Sequence, residues 1–366
     1  MKKYTSILCI LLLLCSAILS YAEGLEEKVS YSLNSYRDNN EGFIITNKLG
    51  IVKAIKERFA FSANGGVDSI SAASPEAKSD NAESEDYRSD RYYASLSGIY
   101  DDRENNFSLG GYMSDENDYS GRSLFMNYGR QLNNQNTSLG MAFSRTQDKW
   151  KKIKNYTLPR DDRTGWQGDL SISQFLSPTA QIQLGYSHIV SRGLLESPYR
   201  FIELTPTTII REALPYSKKG QAYSVRMVKE LNSATSLNLS YRYYIDDWET
   251  TSHTINTEVY RDLKDNYTLG ARLRLYSQSD TKYTQDISTY DGTEKYRPID
   301  YKYSAFDSYM LGFNLIYKIE TEKMKSYVIK GSLDYYRTSD NDFIEYWYGS
   351  KHLDAVIFSC SIDYLY

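Results

Sequence analysis

Histidine, cysteine, tryptophan and proline are all scarce in this chain of 366 residues, and each shortage closes off a class of chemistry or fold. The three histidines, His188, His253 and His352, stand in distant segments. No HExxH, CxxC, CxxCH, GxSxG or P-loop pattern occurs anywhere. Zinc proteolysis, dithiol redox chemistry, covalent haem attachment and phosphate-loop hydrolysis therefore lack their usual residues, and the chain reads as a non-enzyme with no metal or cofactor of its own. A lipase built on a barrel wall would need a serine beside a histidine. His188, near Ser187 and Ser191, is the one candidate, and it reads as a polar residue near a membrane edge. Of the three cysteines, Cys9 and Cys15 fall in the N-terminal leader, so Cys360 is left without an internal disulfide partner. Leu12-Leu13-Leu14 precede Cys15 where a lipoprotein would want small residues. The net charge of -4 offers no basic surplus for nucleic acid, and no nucleic-acid partner is expected. Beyond the leader no run approaches about 18 consecutive apolar residues, which excludes a bundle of transmembrane helices.

The leader itself is MKKYTSILCILLLLCSAILSYAEG: Lys2 and Lys3, an apolar run from Ile7 to Leu19, then Ser20-Tyr21-Ala22. That order predicts a secretory signal peptide over residues 1–22, cut after Ala22. The competing reading is an uncleaved anchor, for which the run falls short of the roughly 20 residues a span needs. Residues 23–366 then form one domain, because no stretch in them resembles a linker between two cores.

What the chain has in excess is tyrosine, 36 residues beside 12 Phe, which suits a protein needing many side chains with an apolar body and a wet tip. The apolar residues recur with period two. Leu237, Leu239, Tyr241, Tyr243 and Ile245 alternate with Asn238, Ser240, Arg242 and Tyr244, and Tyr267 to Leu275, Tyr309 to Tyr317 and Tyr327 to Tyr335 repeat the pattern. Each stretch is a strand with one apolar and one polar face. Sixteen such strands are predicted, near 27–36, 43–52, 56–65, 90–100, 105–114, 119–131, 136–146, 163–175, 179–190, 219–230, 235–245, 253–262, 266–277, 306–318, 325–336 and 354–366.

Connection lengths decide between a soluble sandwich and a membrane barrel. Tight turns such as Leu132-Asn133-Asn134-Gln135 and Asn232-Ser233-Ala234 recur at every second junction, while long polar loops near 66–89, 147–162, 191–218, 278–305 and 337–353 take the others. The loops near 37–42, 115–118 and 246–252 are short exceptions on the long side. An even strand count with loops sorted in this way predicts an all-β fold, a transmembrane antiparallel β-barrel of about sixteen strands in the outer membrane of a Gram-negative bacterium. Proline gives an independent check, since a closed ladder cannot spare a backbone N–H. Pro75, Pro159, Pro178, Pro198, Pro206, Pro215 and Pro298 all fall in the predicted loops or turns.

With lipid claiming the apolar row, the other row faces the lumen. There it carries Arg226, Arg242, Glu258, Arg272, Arg274, Lys330 and Asp334, with Asp363 and several Asn and Ser. Two readings stay open for these charges, structural ion pairs that stiffen the wall and a selective pore lining. The final strand, AVIFSCSIDYLY, places Phe358, Cys360, Ile362, Tyr364 and Tyr366 on the lipid side and ends on an aromatic residue. Phe358, Ile362, Tyr364 and Tyr366 resemble the signal read by the barrel assembly machinery. The strand is expected to pair with the segment near Lys28 to Tyr36, leaving no edge in the membrane. Asp246, Asp247 and Glu249, and the acidic stretch Glu76 to Asp90, lack the spacing of a calcium loop and read as solvated surface.

Five short stretches stand out: Asp68-Ser69-Ile70-Ser71-Ala72-Ala73-Ser74-Pro75, Ser197-Pro198-Tyr199-Arg200, Leu214-Pro215-Tyr216-Ser217, Tyr241-Arg242-Tyr243-Tyr244 running into Asp246-Asp247-Trp248, and Leu275-Tyr276-Ser277-Gln278-Ser279. Together they resemble the signatures of a bacterial family, DUF3570. The resemblance runs in matching order from about residue 40 to the C-terminus. It implies an outer-membrane barrel without established catalytic residues, and it suggests company with periplasmic thioredoxin-like and flavin-attaching proteins. Loops on a rigid scaffold are where binding usually resides. Tyr199, Arg200, Asp246, Asp247 and Trp248 are therefore the candidate loop-binding residues, at the extracellular rim or folded into its mouth. Two functions follow as expectations. One is a porin-like channel for small polar solutes, whose partners are outer-membrane lipids and the assembly machinery. The other is a non-catalytic scaffold barrel that binds a periplasmic or extracellular partner, a flavin or haem carrier in extracytoplasmic electron transfer.

Overall fold

A computed structural model describes residues 26–40, 42–71, 88–151, 161–205, 208–264, 266–321 and 325–366. The expected signal peptide 1–22 and most of the stretch Glu76 to Asp90 lie outside them. The first nine strands are β1 (Lys28–Asp38), β2 (Phe43–Lys56), β3 (Phe59–Ser71), β4 (Arg88–Asp101), β5 (Asn105–Asp115), β6 (Tyr119–Leu132), β7 (Thr137–Trp150), β8 (Asp162–Ser177) and β9 (Ala180–Gly193). A short hairpin follows, β10 (Phe201–Thr205) and β11 (Thr208–Arg211). The chain then runs through β12 (Ser217–Asn232), β13 (Thr235–Asp246), β14 (Thr251–Lys264), β15 (Tyr267–Gln278), β16 (Phe306–Glu320), β17 (Ser326–Thr338), helix α1 (Asp342–Tyr348) and β18 (Asp354–Leu365).

All the strands except β10 and β11 form one closed antiparallel barrel in which sequence neighbours pair, with β9 beside β12 across the inserted hairpin. This is the sixteen-strand transmembrane barrel expected from the alternation. The seam closes as the final strand required: β18 pairs with β1 from Lys28 opposite Leu365 to Asp38 opposite Ala355. Register shifts next to the turns, between Ala54 and Lys56 and between Glu230 and Asn232, are bulges that bend strands into their turns. Pro178, Pro198, Pro215 and Pro298 all lie outside the strands.

The apolar row faces outward. Leu96, Met113, Leu124 and Phe313 are 62%, 64%, 66% and 70% exposed, an arrangement that water would penalise and hydrocarbon accepts. Phe358, Ile362 and Tyr366 belong to this row, with Tyr364 stacked on Tyr327 at 4.9 Å across the strand pair. Cys360 also lies on this face, opposite Leu33 of β1 and Gly331 of β17.

The large apolar side chains that are buried sit elsewhere, at the long-loop end. Ile202, Tyr290, Ile299 and Phe343 form a cluster, with Ile210, Ile287, Tyr301 and Trp347 packed against it. They come from the β9–β12 connection, the β15–β16 connection and α1. The core of this protein is thus a cap on the barrel. Gly193, at φ 118°, lets the chain leave β9 for the cap, because a Cβ there would collide with the Asp162 carbonyl oxygen.

Candidate functional site: the inner wall beneath a folded cap

Strand register sets the inner wall in rows. One row runs Val228, Asn238, Glu258, Arg272, Gly312, Asp334 across β12 to β17. Arg272 Nη2 reaches past Gly312 to Asp334 Oδ1 at 2.6 Å, and a Cβ at Gly312 would run into that carboxylate. Glu258 accepts from Asn238 at 3.1 Å, Asn256 at 3.1 Å and Tyr260 at 3.4 Å. Arg226 donates to Asn238 at 2.9 Å, and Lys330 pairs with Asp363 at 3.1 Å. All of the charges placed in the lumen by sequence therefore sit on the inner face, and most of them neutralise or solvate one another. The next two rows toward the cap differ. They read Arg226, Ser240, Asn256, Arg274, Met310, Tyr336 and Ser224, Arg242, Thr254, Tyr276, Ser308, Thr338, with three arginines and no acid. Arg242 lies over the Tyr244 ring at 5.7 Å, and Arg274 has no ion pair among the described residues.

Above these rows the cap folds across the mouth. The 3-10 turn Tyr301–Tyr303 is capped by Asp300, whose side chain accepts from Lys302 N. It is tied to the wall by Gln278, which donates to the carbonyls of Lys302 at 3.0 Å and Ser304 at 2.6 Å. Helix α1 starts at Asn341, whose side chain accepts from Phe343 N and Ile344 N, and ends at Gly349 in the left-handed region. Trp347 Nε1 donates to Ile299 O at 3.3 Å, and Ala213 bridges to Arg297 in an antiparallel pair. Tyr199 reaches Asp118, in the connection from β5 to β6, with its hydroxyl.

The five residues expected to bind at the rim stand at the long-loop end, and most are engaged inside the cap. Trp248 and Arg200 are each 2% exposed. Asp246 accepts from Trp248 N, Thr250 N and Tyr244 OH and pairs with Lys218 at 2.9 Å. Trp248 Nε1 donates to Ser217 O at 3.0 Å, and Asp247 accepts from Lys219 N at 2.9 Å. Arg200 lies 3.6 Å from Asp300 and 4.6 Å over the Trp347 ring. These contacts brace the cap; they do not present a free binding surface. His188 is exposed on the outer face, whereas Ser187 donates to Asp169 on the inner face at 2.6 Å, so the Ser–His pairing suggested by sequence proximity does not form.

Sequence reading missed Glu212, the residue that joins the two halves of the cap. Buried, it accepts from Ser197 N at 2.7 Å on its own loop and from Ile299 N and Asp300 N at 2.9 and 3.1 Å on the other. Burial, then the neighbouring Asp300 carboxylate, pushes its carboxyl from 4.5 up to about 7, against the pull of the backbone donors. Between these values the folded cap holds more protons than the opened one, so cap stability falls as pH rises from 4.5 to about 7 and is level above. The loss expected is about 3 kcal/mol. Hydrogen exchange at the Ile299 and Asp300 amides, corrected for intrinsic rate, should show it, and Glu212→Gln should flatten it. Protection that rises with pH across this window would contradict the assignment.

A cavity of ≈ 370 Å³ lies between the cap and the acid-free rows, with Arg274, Tyr276, Tyr301, Lys302, Phe306 and Tyr336 among its lining.

Residues 145–350, more than half of the chain, match the family model described as a protein of unknown function, DUF3570. The chain belongs to the DUF3570 family. Four of the five resembling stretches fall inside that match, and Asp68 to Pro75 precedes it. In this DUF3570 member, Ser197 to Arg200, Leu214 to Ser217 and Asp246 to Trp248 are the cap's anchoring segments. No curated protein matches the chain. Among solved structures, a bacterial polysaccharide outer membrane secretin is similar at 8% identity and a TM-score of 0.54, over 93% of this chain and 98% of that one. The outer membrane protein opdK from Pseudomonas aeruginosa is similar at 7% identity and 0.46, over 94% and 99%. The ferric enterobactin receptor of Pseudomonas aeruginosa is similar at 10% identity and 0.44; the match spans 88% of this chain and 55% of the receptor. The chain therefore spans about half the length of that receptor. At these identities the likeness concerns the barrel fold alone, and only the first carries weight.

Proposed function

We propose that this DUF3570 barrel resides in the bacterial outer membrane as a porin-like channel for small polar solutes, with its outer mouth narrowed by the cap. The observation that carries the reading is the inner wall: charged and hydrogen-bonding residues on the inner face of β13 to β15 and β17, alternating along each strand with the mainly apolar residues of the outer face. Barrels of about sixteen strands are wide enough to leave an aqueous channel. No reaction is assigned to it. In a planar bilayer the purified protein should give discrete conductance steps. Replacing Arg272 and Arg274 with Glu should move the reversal potential in a salt gradient toward cation selectivity. An unchanged reversal potential would remove these arginines from the conduction path.

The fold of the cap over the mouth supports one alternative, a scaffold barrel holding a periplasmic or extracellular redox partner. That reading expects negligible conductance from the protein alone and a partner in fixed stoichiometry after mild detergent extraction.

A further inference from the structure

The cavity beneath the cap combines features that a general solute path does not need. Arg274 projects into it from β15 with no carboxylate in its own row, and Arg242 stands in the next row toward the cap, two strands away. The inner-wall acids in the row below are already engaged. Asp334 is held by Arg272 at 2.6 Å, and Glu258 by Asn238, Asn256 and Tyr260. Lys302, on the cap side, is 68% exposed at its side chain, and its nearest acid, Asp300 at 3.8 Å, is shared with Arg200. The cavity therefore has cationic capacity that the protein does not itself satisfy.

The remaining walls are aromatic. Tyr276 and Phe306 pack with ring centroids 5.5 Å apart, Phe306 and Tyr301 with centroids 5.8 Å apart, and Tyr336 stands on β17 at the level of Arg274. Tyr276 spends its hydroxyl proton on Gln278 Oε1 at 2.6 Å, leaving its ring as the free surface. A volume of ≈ 370 Å³ lies in the range of small-molecule sites and accepts one six-membered ring with its substituents and a few waters.

We propose that this cavity is a binding site for a small planar aromatic carboxylate, of the benzoate class. Its carboxylate meets the Arg274 guanidinium, whose flat fork matches two oxygens, and its ring packs among Tyr276, Phe306 and Tyr301. Inorganic phosphate satisfies the arginine but strands the Phe306 and Met310 faces against a hydrated anion. A neutral sugar or aromatic alcohol covers the rings but leaves the guanidinium uncompensated. The proposal rests on the reading of the lumen as a solute path and specifies the class of solute retained there.

Equilibrium binding to the detergent-solubilised full chain, with benzoate as the probe, tests it separately from conduction. Benzoate should bind saturably and weaken with added chloride. Phosphate, acetate and benzyl alcohol should each bind about tenfold or more weakly. Arg274→Gln, checked for heat-modifiable gel migration, should weaken benzoate by about tenfold or more while affecting benzyl alcohol little. Absence of saturable benzoate binding, equal affinity for benzyl alcohol, or an unaltered benzoate affinity in a folded Arg274→Gln variant would each overturn the assignment. The ligand series on the unaltered protein decides the question even where the variant fails to fold. Benzoate binding without conductance would overturn the channel reading and leave this site standing; conductance without benzoate binding would do the reverse.

Discussion

Replacing Arg200 with methionine is expected to unfold the cap while the barrel stays closed. The guanidinium is buried, lies over Trp347 of α1 at 4.6 Å and approaches Asp300 of the β15–β16 connection at 3.6 Å. Glu212 stands on the other side of Asp300, accepting its backbone N–H. Without Arg200, Asp300 beside the buried Glu212 keeps only the solvent-exposed Lys302 at 3.8 Å as a cationic partner. Removing one partner from such a buried pair typically costs about 3–5 kcal/mol, comparable to what a small folded unit has in total. Methionine keeps much of the volume, so lost packing is a minor part of the effect. Lysine should restore part of it, because it returns the charge but not the flat surface stacked on Trp347. The measurement is hydrogen exchange over residues 194–216 and 279–305, with gel migration of the unboiled protein reporting the barrel. Protection in these loops should collapse while the barrel still migrates as folded. Unchanged protection of the Ile299 and Asp300 amides would mean that Arg200 does not hold the cap.

This separation of cap from barrel also explains what could be read from sequence. The barrel strands were legible because hydrocarbon on one side and water on the other force a period of two, and because closure forces proline out of the ladder. Individual ends were less legible. Alternation predicts the third strand over 56–65, whereas it runs from Phe59 to Ser71, because its far half, Gly66-Val67-Asp68, places a charge where the pattern looks broken. Asp68 in fact faces inward and is held by Arg91 Nε at 2.6 Å. The same alternation placed Arg226, Arg242, Glu258, Arg272, Arg274, Lys330 and Asp334 on the inner wall, because in a closed barrel the facing of one residue fixes all the others.

The cap leaves no such pattern. Its core joins Ile202, Tyr290, Ile299 and Phe343, residues with no local period between them, and its polar centre pairs residues 200 and 212 with residue 300. Separation of that kind leaves no trace in a single sequence. One local signal was present. Asn341 followed by Asp342-Phe343-Ile344-Glu345, with Gly349 after Tyr348, has the capping residue, the acidic first turn and the terminal glycine of a short helix, and α1 is that helix. Resemblance and connection length point to Tyr199, Arg200, Asp246, Asp247 and Trp248, but burial is a tertiary property. In the structure it makes them braces of the cap.

The central claim, on which lumen, cap and cavity all depend, is that β18 closes on β1 in one register with Cys360 on the lipid side. Leu33 stands directly opposite Cys360 in that register, and Asn34, opposite Ser359, faces the lumen. With Cys9 and Cys15 replaced by alanine, Leu33→Cys under mild oxidation should therefore form an intramolecular disulfide with Cys360, whereas Asn34→Cys should not. In the chain-entropy account a cross-link closing so long a loop is worth about 6 kcal/mol, so the oxidised protein should stay folded at temperatures that open the reduced one. A Leu33→Cys protein that stays reduced, or an Asn34→Cys protein that cross-links as readily, would contradict the closed barrel described here.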